Sequence, residues 1–138
     1  MKKYRVDAKV DSNQLEIVAS LRKYGAIVTP GHDDILVAFD DKLLWIEIKE
    51  SSPFTKKGTL KSGIIKPSQY KLLETMNDTY AICWTITQCF DFLNGFDGDY
   101  ITPSKYIDNI EQWRPKLTTM QRAEIIFNSW KHQLDQVL

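Results

Sequence analysis

The chain has 138 residues, 43% hydrophobic and 26% charged, the composition of one soluble globular domain with its own core. Eighteen basic residues balance 18 acidic ones, which excludes a generally basic polyanion binder and leaves nucleic-acid affinity to a local patch. No apolar run approaches membrane-spanning length, and the basic start Met1-Lys2-Lys3-Tyr4 leads into no apolar stretch, so neither a membrane span nor an export signal is expected. Cys83 and Cys89 match no metal-ligand spacing and give no disulfide framework, which points to a reduced, cytoplasmic setting.

In chain order, Asp11 is placed to cap a helix, with Gln14 in the capping-box position three residues on. A broad apolar face of Leu15, Val18 and Ala19 with Ile17, Leu21 and Tyr24 sustains that helix until Gly25. Residues 26–29 read as a short strand ended by Pro30-Gly31. Two apolar strands, 34–39 and 43–49, flank a polar break at Asp40-Asp41-Lys42 and read as a β-hairpin. Residues 50–66 read as a long polar loop carrying Lys56, Lys57, Lys61 and Lys66, with no acid after Glu50. Pro67 suits the first position of a helix whose apolar face holds Leu72, Leu73 and Met76. Residues 80–86 read as a buried strand, and Thr87 as the cap of a short helix stopped at Asn94-Gly95. Residues 106–113 read as a helix broken by Pro115. From Thr119 onward Met120, Ala123, Phe127, Trp130, Leu134 and Val137 recur at helical spacing, a stripe expected to pack on the domain or to form a dimer interface. The order implies a mixed sheet with helices on its faces.

The hairpin carries the chemistry. If Asp40-Asp41 is a two-residue turn, Phe39 faces Lys42 and Asp34 lies directly opposite Glu47, with Cβ atoms roughly 5 Å apart. Lys49 follows Glu47 by two residues and points to the same face. Like charges paired across a sheet repel, so a divalent cation with oxygen ligands is expected between them. Such an ion, a held water and a cation beside the phosphate are what phosphodiester hydrolysis requires. On that expectation Asp34 and Glu47 are the metal ligands, the backbone carbonyl of Ile48 is a further ligand, and Lys49 sits by the water or the phosphate. Glu16, on the first helix, is a candidate outer carboxylate.

A bare Glu-x-Lys is common, but an acid opening an apolar strand, a tight turn and a Glu-x-Lys ending the partner strand rarely occur together. The segments Gly31-His32-Asp33-Asp34-Ile35-Leu36-Val37 and Trp45-Ile46-Glu47-Ile48-Lys49 resemble the two halves of the PD-(D/E)xK nuclease signature. Lys66-Pro67-Ser68-Gln69 resembles the Thr-Pro-x-Gln that opens a helix after Glu-x-Lys, and a strand and helix ending in Leu93-Asn94-Gly95 follows. Together these are similar to the VRR-NUC branch, small phage-type and repair-associated nucleases related to Holliday junction resolvases. The resemblance covers about residues 11–95. It implies a restriction-endonuclease-like α/β fold with a mixed central sheet flanked by helices, a nuclease core over 1–97 and a helical C-terminal extension over 98–138. It implies a nuclease dependent on Mg²⁺ or Mn²⁺ that cuts DNA of unusual structure, such as branches, flaps or single strands. Asp34, Glu47 and Lys49 would be its catalytic residues, Glu16 the auxiliary acid and Gln69 the helix glutamine at the site. Asp33 departs from the proline of the signature, the loop before Gln69 is long, and residues 100–138 match nothing in the family.

Plainer readings stand beside these. Asp34 could cap the turn after Pro30-Gly31, and Glu47 with Lys49 could be the charged stripe of an edge strand. Glu16 could be an ordinary surface residue, and His32 a solvated loop residue. The four lysines could be a solvated loop or contacts to a nucleic-acid backbone. Two alternative functions follow. One is a nucleic-acid-binding module of the same fold that cuts nothing. The other is an interaction protein that binds a homodimer mate or another protein through its C-terminal helices.

Overall fold

Between the two strands of the hairpin the chain reverses in two residues. Asp40 and Asp41 have φ of 50° and 61°, the left-handed pair that a type I′ turn needs and whose twist matches that of the flanking strands. Aspartate enters this region at lower cost than most side chains. The turn pairs Phe39 with Lys42, and the register then runs back through Val37 with Leu44 and Leu36 with Trp45 to Asp34 with Glu47.

The computed structural model describes the backbone of residues 2–137 and the side chains of residues 13–132, 134 and 135. The elements are α1 (Lys2–Lys23), β1 (Ile27–Pro30), β2 (Asp34–Phe39), β3 (Lys42–Ile48), α2 (Pro67–Thr75), β4 (Tyr80–Cys83), α3 (Ile86–Asn94), α4 (Pro103–Asp108), α5 (Ile110–Trp113) and α6 (Thr119–Val137). They group into two compact units, one of residues 1–52 and 81–100, the other of residues 53–80 and 101–138. The second unit therefore takes in residues 53–80 as well as the expected C-terminal extension, because α2 packs against α4 and α6.

The first unit holds a mixed four-stranded sheet in the order β1-β2-β3-β4. β1 pairs antiparallel with β2, and β2 with β3; β4 is the parallel neighbour of β3, reached only after the long connection that parallel pairing demands. Strand alternation turns Ile35, Val37, Leu44 and Ile46 to one face, where they form a core with Ile17, Val18 and Leu21 of α1 and Cys89, Phe92 and Leu93 of α3. The opposite face carries Asp34, Leu36, Trp45 and Glu47, and there Leu43 is 65% exposed. β2 and β3 are interior strands, so the edge-strand reading of Glu47 and Lys49 does not hold.

Several local expectations need correction. α1 starts at Lys2 rather than after Asp11, since no proline or glycine interrupts residues 2–24; the side chain of Asp11 lies outside the described residues. Gln14 is thus a mid-helix residue and not part of a capping box. β4 stops at Cys83, and Thr85, not Thr87, caps α3. The reason is Gln88, whose Oε1 accepts from the backbone N–H groups of Trp84 and Thr85 while Thr85 Oγ1 accepts from Gln88 N. Gly95 ends α3 in the left-handed region at φ 73°. The expected helix at 106–113 is split at Asn109 into α4 and α5.

In the second unit, the expected loop at 50–66 contains an ordered hairpin. Phe54 bridges to Leu60, Thr55 N donates to Thr59 O at 2.7 Å, and Gly58 N donates to Thr55 O at 3.0 Å. Lys56 and Lys57 form its tip. Leu73, Tyr106 and Ile110 are buried among α2, α4 and α5. Arg114 joins these elements: its Nη1 donates to Tyr106 Oη at 3.1 Å, its guanidinium lies 3.8 Å from the centre of the Tyr70 ring, and Glu74 Oε2 is 3.9 Å away. Tyr106 Oη in turn donates to Glu74 Oε2 at 3.2 Å. Burial raises the Glu74 carboxyl above the usual carboxylate value, against the opposing pull of Arg114, and burial likewise raises the phenols of Tyr70 and Tyr106. The stripe of α6 does not pack as expected: Met120, Phe127 and Trp130 are exposed, while Ser129 on another face of the helix is buried.

Two measurements check this account. Asp41→Gly, at a position already left-handed, should raise stability in urea unfolding by about 0.5–1 kcal/mol, because glycine carries no Cβ penalty there. For Glu74, the raised folded value means that the folded state holds the proton more tightly than the unfolded chain. Its contribution to stability is therefore full below pH 4.5 and is lost as pH rises through the folded value. Glu74→Gln should flatten the stability–pH curve in the window just above pH 4.5.

Candidate functional site

Asp34 opens β2 directly opposite Glu47 near the end of β3. Glu47 is 5% exposed and Asp34 half-buried. The Asp34 carboxylate is held from two sides. The indole Nε1 of Trp45, diagonal to it on the same face, donates to Oδ2 at 2.7 Å. The other oxygen lies against Gly31, where any Cβ would collide with it. That close approach requires glycine at position 31.

The main chain at this end of the hairpin is gripped as firmly. Gly31 N donates to Asp34 O at 2.6 Å. Gln14, 4% exposed on α1, donates through Nε2 to Gly31 O at 3.0 Å and to Asp34 O at 3.2 Å. Its Oε1 is buried with no hydrogen-bond partner among the described residues. On β3, Ile48 N donates to Asp33 O and Lys49 N to Cys83 O, both at 2.9 Å. Asn13 Nδ2 of α1 donates to Lys49 O at 3.0 Å. The Glu47-Ile48-Lys49 segment is thereby tied to β2, to β4 and to α1 together.

The donor chemistry suits a hard cation. Mg²⁺ binds through one or two carboxylates and keeps several of its own waters, so Asp34 and Glu47 meet its minimum. A ligating carboxylate is normally oriented by a hydrogen bond of its own, and Trp45 gives that bond to Asp34. Among the described residues no group of three or more His, Cys, Asp or Glu side chains gathers as a metal site.

The structure brings together Asp34 and Glu47 as the spacing predicts, and sets Lys49 two residues on from Glu47. Glu16 is exposed on α1, and the α1 residues that reach β2 and β3 are Asn13 and Gln14. Gln69 lies in the second unit, 6% exposed, where its Oε1 accepts from Lys66 N at 3.0 Å and so caps α2. Lys56, Lys57, Lys61 and Lys66 are all exposed residues of the second unit. His32 is exposed, 3.8 Å from Asp33. Trp45, Gly31 and Gln14 were not singled out for the site from sequence. Alternation along β3 was the available signal for Trp45, which must share a face with Glu47. Nothing local marks Gln14, whose partners lie in β2 and the turn before it.

No protein-family model, curated protein or solved structure matches this chain.

Trp45→Phe keeps the ring but removes the donor to Asp34, and should cost about 1 kcal/mol in urea unfolding, given the partial exposure of the pair. Gly31→Ala should cost at least as much, because the new methyl displaces the carboxylate. In the double variant the two costs should fall short of their sum, since both act through Asp34.

Proposed function

We propose that this protein is a metal-dependent nuclease of the restriction-endonuclease-like type, hydrolysing phosphodiester bonds in DNA, with branched, flap or single-stranded DNA as its substrate. The observation that carries the reading is the direct opposition of Asp34 and Glu47 across β2 and β3, with Lys49 two residues after Glu47 in the chain. Two carboxylates in register are costly without a cation, and a nuclease site turns that cost to use. Asp34, Glu47 and the main-chain carbonyl of Ile48 would hold the cation, Mg²⁺ or Mn²⁺. When bound it supplies Lewis acidity toward the phosphate and lowers the pKa of a coordinated water. Trp45 keeps the Asp34 carboxylate oriented before substrate arrives. Lys49 contributes positive charge where the phosphate gains negative charge, and its ammonium orients the attacking water. Water adds to phosphorus, a P–O ester bond breaks, and the departing oxygen takes up a proton. Glu16 and Gln69 are given no step.

The exposed face of α6, with Met120, Phe127 and Trp130, favours a second reading, a protein that works by binding a homodimer mate or another protein. The two readings separate by mutation. Phe127→Glu with Trp130→Glu should leave cleavage intact if the hairpin site is the working part, and should abolish function if α6 is.

Cleavage of a labelled panel of single strand, duplex, flap and four-way junction with Mg²⁺, Mn²⁺ or EDTA is the direct test. Wild type should cut at least one member in a metal-dependent way, and Lys49→Ala should lose at least about 100-fold in rate, the low end for a group that assists proton transfer. Independently of activity, metal at about ten times its Kd should stabilise the fold by about 1.4 kcal/mol. That gain should vanish in Glu47→Gln and shrink in Trp45→Phe. Absence of both cleavage and metal stabilisation would overturn the reading and favour a binding module that cuts nothing.

A further inference from the structure

The second unit contains a cleft of about 540 Å³ between the hairpin at 53–61 and the segment that follows α5. This is within the ~300–1,000 Å³ of small-ligand sites. Its lining includes Lys61, Arg114 and Lys116 and no aspartate or glutamate. In a chain whose basic and acidic residues are equal in number, this is a local excess of positive charge. Lys56 and Lys57, both exposed, sit at the tip of the same hairpin.

Two aromatic rings complete the lining, Tyr70 and Trp113. Neither is loose. Trp113 packs edge-on to Phe54 at 5.1 Å, and its carbonyl accepts from Leu60 N at 2.9 Å. Tyr70 lies beneath the Arg114 guanidinium, which Tyr106 and Glu74 hold in place. A guanidinium held over a ring can add a stacking surface and donate to phosphate. Fixed rings beside exposed basic side chains are the combination that binds single-stranded nucleic acid: bases stack on the rings while the cations follow the backbone. An acidic protein segment would use the same cations but gain nothing from the rings.

We propose that this cleft binds a single-stranded segment of nucleic acid, with phosphates on Lys61, Arg114 and Lys116 and a base stacked at Trp113 or on the Arg114–Tyr70 pair. The identity of the polymer rests on the nuclease reading; the binding itself does not need the hairpin site. This gives the substrate a feature of its own, an unpaired strand, and gives the lysines of the hairpin a role separate from catalysis.

The test is fluorescence anisotropy with a labelled oligothymidylate of about 12 nucleotides, within the ~4–16 nucleotides typical of such sites, in EDTA so that nothing is cut. Wild type should bind, and tryptophan fluorescence should be quenched as a base stacks. Lys61→Ala with Lys116→Ala, both exposed positions, should weaken binding and reduce the slope of log affinity against log salt by about 1.4. Trp113→Phe should lose most of the quench while the protein stays folded. Binding in EDTA needs neither metal nor cleavage, so a failed nuclease reading would leave this result standing. The proposal is overturned if the oligonucleotide does not bind. It is equally overturned if the lysine pair leaves affinity and salt slope unchanged, or if polyglutamate binds as tightly.

Discussion

The register of one hairpin governs this molecule. A two-residue turn with both φ angles positive leaves one way to pair β2 with β3, and that pairing sets Asp34 against Glu47. A slip of one residue would send Asp34 into the apolar face and bring Ile35 out of it. The same register puts Ile35, Val37, Leu44 and Ile46 into the core with α1 and α3. Burial on one face thus enforces the juxtaposition on the other, and the core stabilises a charge arrangement that would not form by itself.

That arrangement is supported from its surroundings rather than by its own chemistry. Two facing carboxylates repel, yet one of them receives an indole N–H, sits against a residue without a Cβ, and belongs to a turn whose carbonyls take the amide of Gln14. The Glu47-Ile48-Lys49 segment has backbone bonds to β2 and β4 and a side-chain bond from α1. Preorganisation of this kind is what an electrostatic site requires, because groups already in place need not reorganise when charge develops. The proposed phosphodiester chemistry draws on that rigidity.

The second unit has a different design. Its lysines are exposed on a hairpin and a connecting segment, while Tyr70 and Arg114 are tied into a half-buried network with Glu74 and Tyr106. The loss of solvent that raises the carboxyl of Glu74 and the phenol of Tyr106 also strengthens the bonds that hold Arg114. The result is a cleft lined by fixed rings and exposed lysines, on which the proposed strand binding rests.

From the sequence alone came the hairpin, its register, the pairing of Asp34 with Glu47, the helix opened by Pro67, the stop at Gly95 and the long C-terminal helix. Each depends on contacts within a few residues or across a tight turn, where spacing and φ preference decide the outcome. Tertiary structure decided the rest. Gln14 looks like a capping residue until α1 extends past it and its amide meets β2. The run at 50–66 looked like loop because a bridge as short as that of Phe54 with Leu60 leaves no periodicity to detect. Arg114, Tyr70 and Lys61 are far apart in the chain, and no local pattern joins them. Their meeting depends on how α2, α4 and the hairpin pack, which is a property of surfaces rather than of spacing.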